Sequence, residues 1–216
     1  MDLFRSTIDY LPGMLWAGWL AFQITVLAIL LSWALGLLAA LMKTSGRWAL
    51  AWPAEFYIWF IRGTPSLIQI FIIYFGLPQL GIRLSPFVAG VVALGLCSGA
   101  YVAEIVRAGL MAIPKGQWES ARAVGMPPAM VMRRIILPQV VRIIIAQLTN
   151  EAINTLKNTS LLSAITVMEL TLFTQMAIAA TFRPFDFYIM AALLYLAMTT
   201  VLSRFAAWYE RRFQPL

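Results

Sequence analysis

From Met14 to Met42 the chain carries no charged residue. A helix needs about 20 predominantly apolar residues to cross the hydrocarbon of a bilayer, and this run exceeds that length. Lipid offers no partner for backbone N–H and C=O groups, so a continuous apolar run inside it must close its hydrogen bonds internally, as a helix does. The same bias extends through the chain. Of its 216 residues 62% are hydrophobic and the mean hydropathy is +0.83, against about 45–50% apolar content in soluble domains. These values describe an integral, polytopic membrane protein.

Charge is scarce at 12% of residues, yet the net balance is +7. In membrane proteins such an excess sits mainly in cytoplasmic loops, and no basic tract argues for nucleic acid. One cysteine, Cys97, and no histidine rule out an internal disulfide framework, a thiol–imidazole pair and a zinc cluster. No G-x-x-x-x-G-K-[ST] loop is present, so the chain cannot cradle ATP by that device. The residues before the first run include Asp2, Arg5 and Asp9. That run is too long for a signal-peptide core, so it is expected to remain as a span.

Taken in order, Lys43 and Arg47 mark the cytoplasmic side and leave the N-terminus outside. Trp48, Trp52, Tyr57 and Trp59 form an aromatic cluster of headgroup depth, which predicts an interfacial helix. In Arg62-Gly63-Thr64-Pro65, Gly63 can close one helix, Thr64 can cap the next and Pro65 suits its first position. From Pro65 to Pro78 a helix rises only about 21 Å, too short to span alone, so part of residues 54–62 is expected to continue it. Ser85-Pro86 opens a third span ending near Met111, with Ser98 between Gly95 and Gly99, and with Glu104 and Arg107 paired at i, i+3. The fourth span is expected from about Gln139 to Leu156. Residues 161–181 are too interrupted to cross and read as short re-entrant or outer-face helices. Phe187 to Trp208 is the fifth span, with Arg204, Arg211 and Arg212 holding the C-terminus inside and Arg5, Arg83 and Arg183 left outside. The expectation is an all-α fold of five transmembrane helices in one domain, residues 1–216, with no repeat of 20 to 50 residues.

Two polar features break the apolar pattern. On the fourth span Gln147, Asn150, Glu151, Asn154, Lys157 and Asn158 recur at steps of three and four and are expected to share a face. Charges at the bilayer centre are costly and point to a solute path. The second feature, Ile113 to Pro138, is the one long internal stretch that lipid cannot bury. Pro114 can start a helix there, Gly125 can end it, and Pro127-Pro128 forbids continuation.

Within that stretch Glu119-Ser120-Ala121, three residues, Gly125, nine residues, Ile135, one residue and Leu137-Pro138 resemble the pattern E-A-A-x3-G-x9-I-x-L-P. This pattern marks the cytoplasmic coupling loop of binding-protein-dependent ABC importer permeases, with Ser120 here in place of the usual Ala. Arg62-Gly63-Thr64-Pro65, the run ending Tyr74-Phe75-Gly76-Leu77-Pro78, and the approach to the loop from Gly99 to Gly109 are similar to the polar amino acid uptake group. The resemblance implies that a coupling helix between spans three and four carries Glu119, Ser120, Ala121 and Gly125 into a cleft of a separate ATPase dimer. That partner would bind ATP and magnesium; this chain would hold no cofactor and perform no catalysis. It further implies a second permease subunit, an extracytoplasmic amino-acid-binding protein, and a place in the bacterial inner membrane among lipid. Asn150 to Ser163 resembles the region where related permeases contact the amino acid. Carried over by position, this makes Glu151, Asn154, Asn158 and Thr159 candidates for substrate contact, with Lys157 adjacent; Ser98, beside Gly95 and Gly99 on the third span, is a further candidate at a place read either as helix packing or as substrate access. Asn158 stands where many relatives have Asp, which removes one fixed negative charge. Two other readings stay open: an ion-gradient transporter using Glu151 as its protonatable group, and an ABC permease for another small polar solute such as an opine.

Overall fold

The computed structural model describes residues 9–213, with side chains through Trp208. Asp2 and Arg5 lie outside the described residues, as do the side chains of Arg211 and Arg212. All regular structure among the described residues is helical. The elements are α1 (Leu11–Lys43), α2 (Trp48–Gly63), α3 (Ser66–Phe71), α4 (Pro86–Met111), α5 (Lys115–Ala123), α6 (Pro128–Val131), α7 (Leu137–Asn158), α8 (Leu170–Thr181) and α9 (Pro184–Phe213). By length and composition α1, α4 and α9 can each cross a membrane alone, and two bent pairs raise the number to as many as five.

The centre of the fold is the contact between α1 and α4. Apart from Met14 and Ile24, the buried stripe of α1 is made of small residues: Ala17, Gly18, Ala21, Thr25, Ala28, Ser32, Gly36, Ala39 and Ala40. Its large residues, such as Trp16, Trp19, Leu30 and Leu37, point outward. This inverts the pattern of a soluble helix for a physical reason. Lipid tails are as apolar as Leu, so helices associate in them through close backbone approach. Gly36 lies against Val102 and the Gly99 carbonyl, and Gly95 lies against Leu31. Contact positions rise together along both helices, so α1 and α4 run parallel. Parallel helices require the chain between them to return along their length; α2 stays at one end, where Lys43 and Arg62 both lie beside Glu104, and the segment from Ser66 onward makes that return. Ala54, Ile58 and Ile61 of α2 share a cluster with Ala39, Ala40, Ala100 and Ala103, while Ile70 of α3 joins Ile24, Ala28, Ala89 and Leu94 further along.

The connection is not one continuous helix. α2 and the segment from Ser66 to Leu80 meet at 113°, so residues 54–62 do not continue the following helix as expected. Thr64 and Pro65 are both extended, with ψ of 151° and 136°. Their roles also differ from expectation. Thr64 donates its hydroxyl back to the Phe60 carbonyl rather than capping the following helix, and Pro65 is the capping residue rather than the first helical one. The groups freed by the break are met by buried Gln69, whose Nε2 donates to the Ile61 carbonyl at 2.7 Å and the Thr64 carbonyl at 3.0 Å. Its Oε1 accepts from the Cys97 thiol on α4, so one side chain fastens the break to the next helix.

α4 begins and ends as expected. Ser85 caps it by accepting from the Val88 amide, and Pro86 is its first residue. α7 returns antiparallel to α4: Gly109 faces Ile144 and Val140, and Ser98 faces Thr155. Its helix starts earlier than expected. Residues Pro128–Ile165 form one helical stretch in which a wide five-residue turn, Met132–Ile136, precedes Pro138. Such a turn absorbs the missing proline N–H, and the same arrangement, Ile72–Gly76 before Pro78, occurs beyond α3. Arg133 and Arg134 are exposed on this helix, so the non-helical part of the 113–138 stretch ends at Pro127. Past Asn158 a tight 3-10 segment, Thr159–Ile165, turns at Thr166 (φ 65°) into α8, in keeping with the expected short helices between residues 161 and 181. α9 then runs parallel to α1, placing Phe187 and Ala191 beside Met14, and Met198 beside Gly18.

Candidate functional site

Two places gather polar groups that the bundle does not need for packing. The first lies between α4 and α7. Ser98 is 3% exposed and its hydroxyl is 2.7 Å from that of Thr155, which is 1% exposed. The Thr155 hydroxyl also lies 2.9 Å from the Glu151 carbonyl, to which it can donate. The half-buried Glu151 carboxylate lies within reach of the Ser98 hydroxyl and of Asn154. No ion pair to Glu151 is found among the described residues, and residues that follow its helical face are open. Asn154, together with Gln147 and Asn150, is exposed along that side, and Asn158 is half-buried. An exposed row of amides beside a carboxylate can bind an ammonium group and hydrogen-bond a polar solute; it cannot face lipid cheaply.

The candidates do not all converge. Lys157, six positions beyond Glu151, turns to the other side and enters a groove between α7 and α9 lined by Ile153, Thr199, Thr200, Ser203 and Arg204. Thr159 is fully buried and donates to the Leu156 carbonyl. The structure therefore brings together Ser98, Glu151 and Asn154, puts Asn158 at the margin, and separates Lys157 and Thr159. Thr155 was missed from the sequence although it stands four residues after Glu151, directly on its helical face. Glu169 was missed as well. It is fully buried and caps α8 by accepting from the Thr171 and Leu172 amides at 2.8 and 2.9 Å, while Tyr195 of α9 donates to it at 2.9 Å.

The second place is α5. Pro114 precedes its first residue and Gly125 follows it with φ of +82°. The Met126 amide donates to the Ala121 carbonyl and the Gly125 amide to Arg122, the paired bonds of a left-handed helix closure. A residue other than Gly would be strained there although nothing crowds it. Within its nine residues only Ala121 is buried. Glu119, Ser120 and Arg122 are exposed, while Ile113, Ala121, Val131, Ile136, Val140 and Ile144 form one cluster. α5 thus presents a small, charged, open face and is anchored by its other face to both α4 and α7.

The chain matches, over residues 32–215, the family described as binding-protein-dependent transport system inner membrane component. It is 42% identical to the octopine transport system permease protein OccM of Rhizobium meliloti, over 89% of this chain and 85% of that protein. It is 38% identical to the probable glutamine ABC transporter permease protein GlnM of Bacillus subtilis, over 88% of each. Among solved structures, a chain of an amino acid ABC transporter crystallised with histidines superposes with a TM-score of 0.91 at 41% identity, covering 97% of this chain and 98% of that one. An inward-facing methionine ABC transporter chain, at 17% identity and a TM-score of 0.78, shares the fold.

Proposed function

Since this chain belongs to the family of binding-protein-dependent transport system inner membrane components, we propose that it is the permease subunit of an ABC importer for polar L-amino acids. The observation that carries this reading is α5, a nine-residue helix with one buried residue, closed at Gly125 and tied to both helices that carry Ser98 and Glu151. In the proposed assembly the exposed face of Glu119, Ser120 and Gly125 seats in an ATPase subunit, which binds ATP and magnesium, while Ala121, expected on that face, packs beneath it against the cluster of Ile113 and Val140. The N-terminus lies outside and the C-terminus in the cytoplasm, with α2 and α3 forming a broken second span and five crossings in all. A second permease chain, identical or paralogous, covers the amide row of α7, because a single bundle of this kind leaves that row open. An extracytoplasmic binding protein delivers solute at the end where α8 lies, and the chain resides in the bacterial inner membrane. Ser98, Glu151, Asn154 and Asn158 contact the solute directly, and Lys157 and Thr159 shape the path from its edges.

The octopine permease relative favours a second reading of the cargo, an opine, for which the same carboxylate and amide row would serve. The test of the coupling role is Glu119→Lys, assayed with the partner subunits in proteoliposomes. The expected result is normal insertion and continued ATP hydrolysis with uptake abolished. Wild-type uptake would remove α5 from the coupling role.

A further inference from the structure

The same ends of α1, α2 and α4 converge on one carboxylate. Glu104 accepts from Lys43 Nζ at 2.8 Å and from Arg107 Nη2 at 2.8 Å. Arg62 Nη1 is left at 3.8 Å, beyond hydrogen-bonding distance, with its side chain 46% exposed. Its guanidinium is held 5.6 Å from the centre of the Tyr101 ring. Three cations around one anion leave two positive charges uncompensated, and Arg62 keeps donors to spend.

Arg62 also ends an unusual surface. On the side of α2 opposite buried Ala54, Ile58 and Ile61, the helix exposes Trp48 (83%), Trp52, Phe56 and Trp59 (69%). The rings form a ladder, with Trp52 and Phe56 6.0 Å apart and Phe56 and Trp59 5.9 Å apart. Nothing among the described residues covers it. Trp at such positions seeks the boundary between headgroups and acyl chains, which sets Arg62 at the depth of lipid phosphates. A zwitterionic headgroup brings its own cation to this site, whereas an anionic one brings the charge that the cluster lacks.

We propose that the notch between α2 and α4, at Arg62 and Tyr101, binds the headgroup of an anionic phospholipid whose acyl chains lie along the aromatic ladder. The proposal rests on the reading of the chain as membrane-spanning and not on which end faces the cytoplasm. It is tested on the importer purified with its partner subunits, titrated in detergent with phosphatidylglycerol or phosphatidylcholine and read by native mass spectrometry. Arg62→Gln is expected to lower phosphatidylglycerol retention about fivefold, the effect of one basic residue at a charged surface, and to leave phosphatidylcholine retention unchanged. Tyr101→Leu, which removes the ring that orients the guanidinium, is expected to give a smaller loss in the same direction. Arg83→Gln, an exposed loop cation, is expected to match wild type. Equal retention by Arg62→Gln and wild type overturns the proposal, as a partner subunit occupying the notch would produce. An equal loss in Arg83→Gln also overturns it, since diffuse charge would then be the cause. Because detergent removes sidedness, a wrong orientation would leave these outcomes intact.

Discussion

Gly36→Ala is the sharpest test of how the bundle is held. A Cβ built at Gly36 would stand 2.5 Å from Val102 Cγ1 and 2.8 Å from the Gly99 carbonyl oxygen. Ordinary contact begins near 3.4 Å, so α1 and α4 would have to part by about 0.6 Å at the backbone contact alone. Overpacking of this kind costs about 1–3 kcal/mol, a fall of about 5- to 150-fold in the folded-to-unfolded ratio. For a chain of this size that corresponds to a melting temperature lower by about 2–12 °C. The assay is thermal unfolding of the purified protein in detergent. Gly18→Ala serves as the control, because its Cβ would meet only Met198 Sδ at 3.6 Å, and it should melt within about 1–2 °C of wild type. The double variant Gly36→Ala/Val102→Ala should recover part of the loss and no more, since the Gly99 carbonyl stays in place. A Gly36→Ala variant that melts with wild type, or full rescue by Val102→Ala, would refute backbone approach as the basis of the contact.

Glu151→Gln keeps the size of the side chain and removes its charge. Uptake measured for several amino acids should shift in KM or in preference while assembly is retained, and unchanged kinetics across the set would make the residue structural. Glu169→Gln leaves one of the Thr171 and Leu172 amides facing an NH2 group instead of an oxygen. A buried unpaired donor costs about 1–3 kcal/mol, so hydrogen exchange at the start of α8 should accelerate. Tyr195→Phe removes one donor and leaves the cap intact; it should change that exchange less than Glu169→Gln does.

Local chemistry was legible in the sequence and long-range chemistry was not. The start of α4 at Ser85-Pro86 and the close of α5 at Gly125 each depend on a few adjacent residues, and both formed as read. The third span followed for the same reason. The break after Gly63 was visible as punctuation, but length arithmetic on a straight helix then joined residues 54–62 to the segment beyond it. What permits a 113° turn inside the bundle is Gln69, whose partners on Ile61, Thr64 and Cys97 become neighbours only after folding. The fourth span was expected only from about Gln139 because the stretch through Pro138 was read as one that lipid cannot bury. A helix can carry exposed charge where it runs on beyond lipid, and this one does from Pro128. Around the polar centre, steps of three and four placed Glu151 and Asn154 correctly. Six positions, however, turn a helix by about 240° net, which carries Lys157 away from Glu151 into the α9 groove.

The two polar places are physically joined. Displacement of α5 acts on one apolar cluster, and that cluster holds both Ile113, just past the end of α4, and Ile136, Val140 and Ile144 at the start of the α7 helix. Gly109 meets Ile144 with no room for a Cβ, so the two helices cannot approach further at that level; they can tilt about it or slide. From Val140 to Thr155 is about 22 Å of helix, long enough to turn a small tilt at one end into a larger shift at the other. Any unequal movement of α4 and α7 is felt at the 2.7 Å contact of Ser98 and Thr155. Parting that contact would release both hydroxyls beside the Glu151 carboxylate, and under the proposed function solute polar groups take their place. The closeness of Gly109 to Ile144 and the fragility of a single hydroxyl pair higher up make the lower contact a pivot and the upper one a seam.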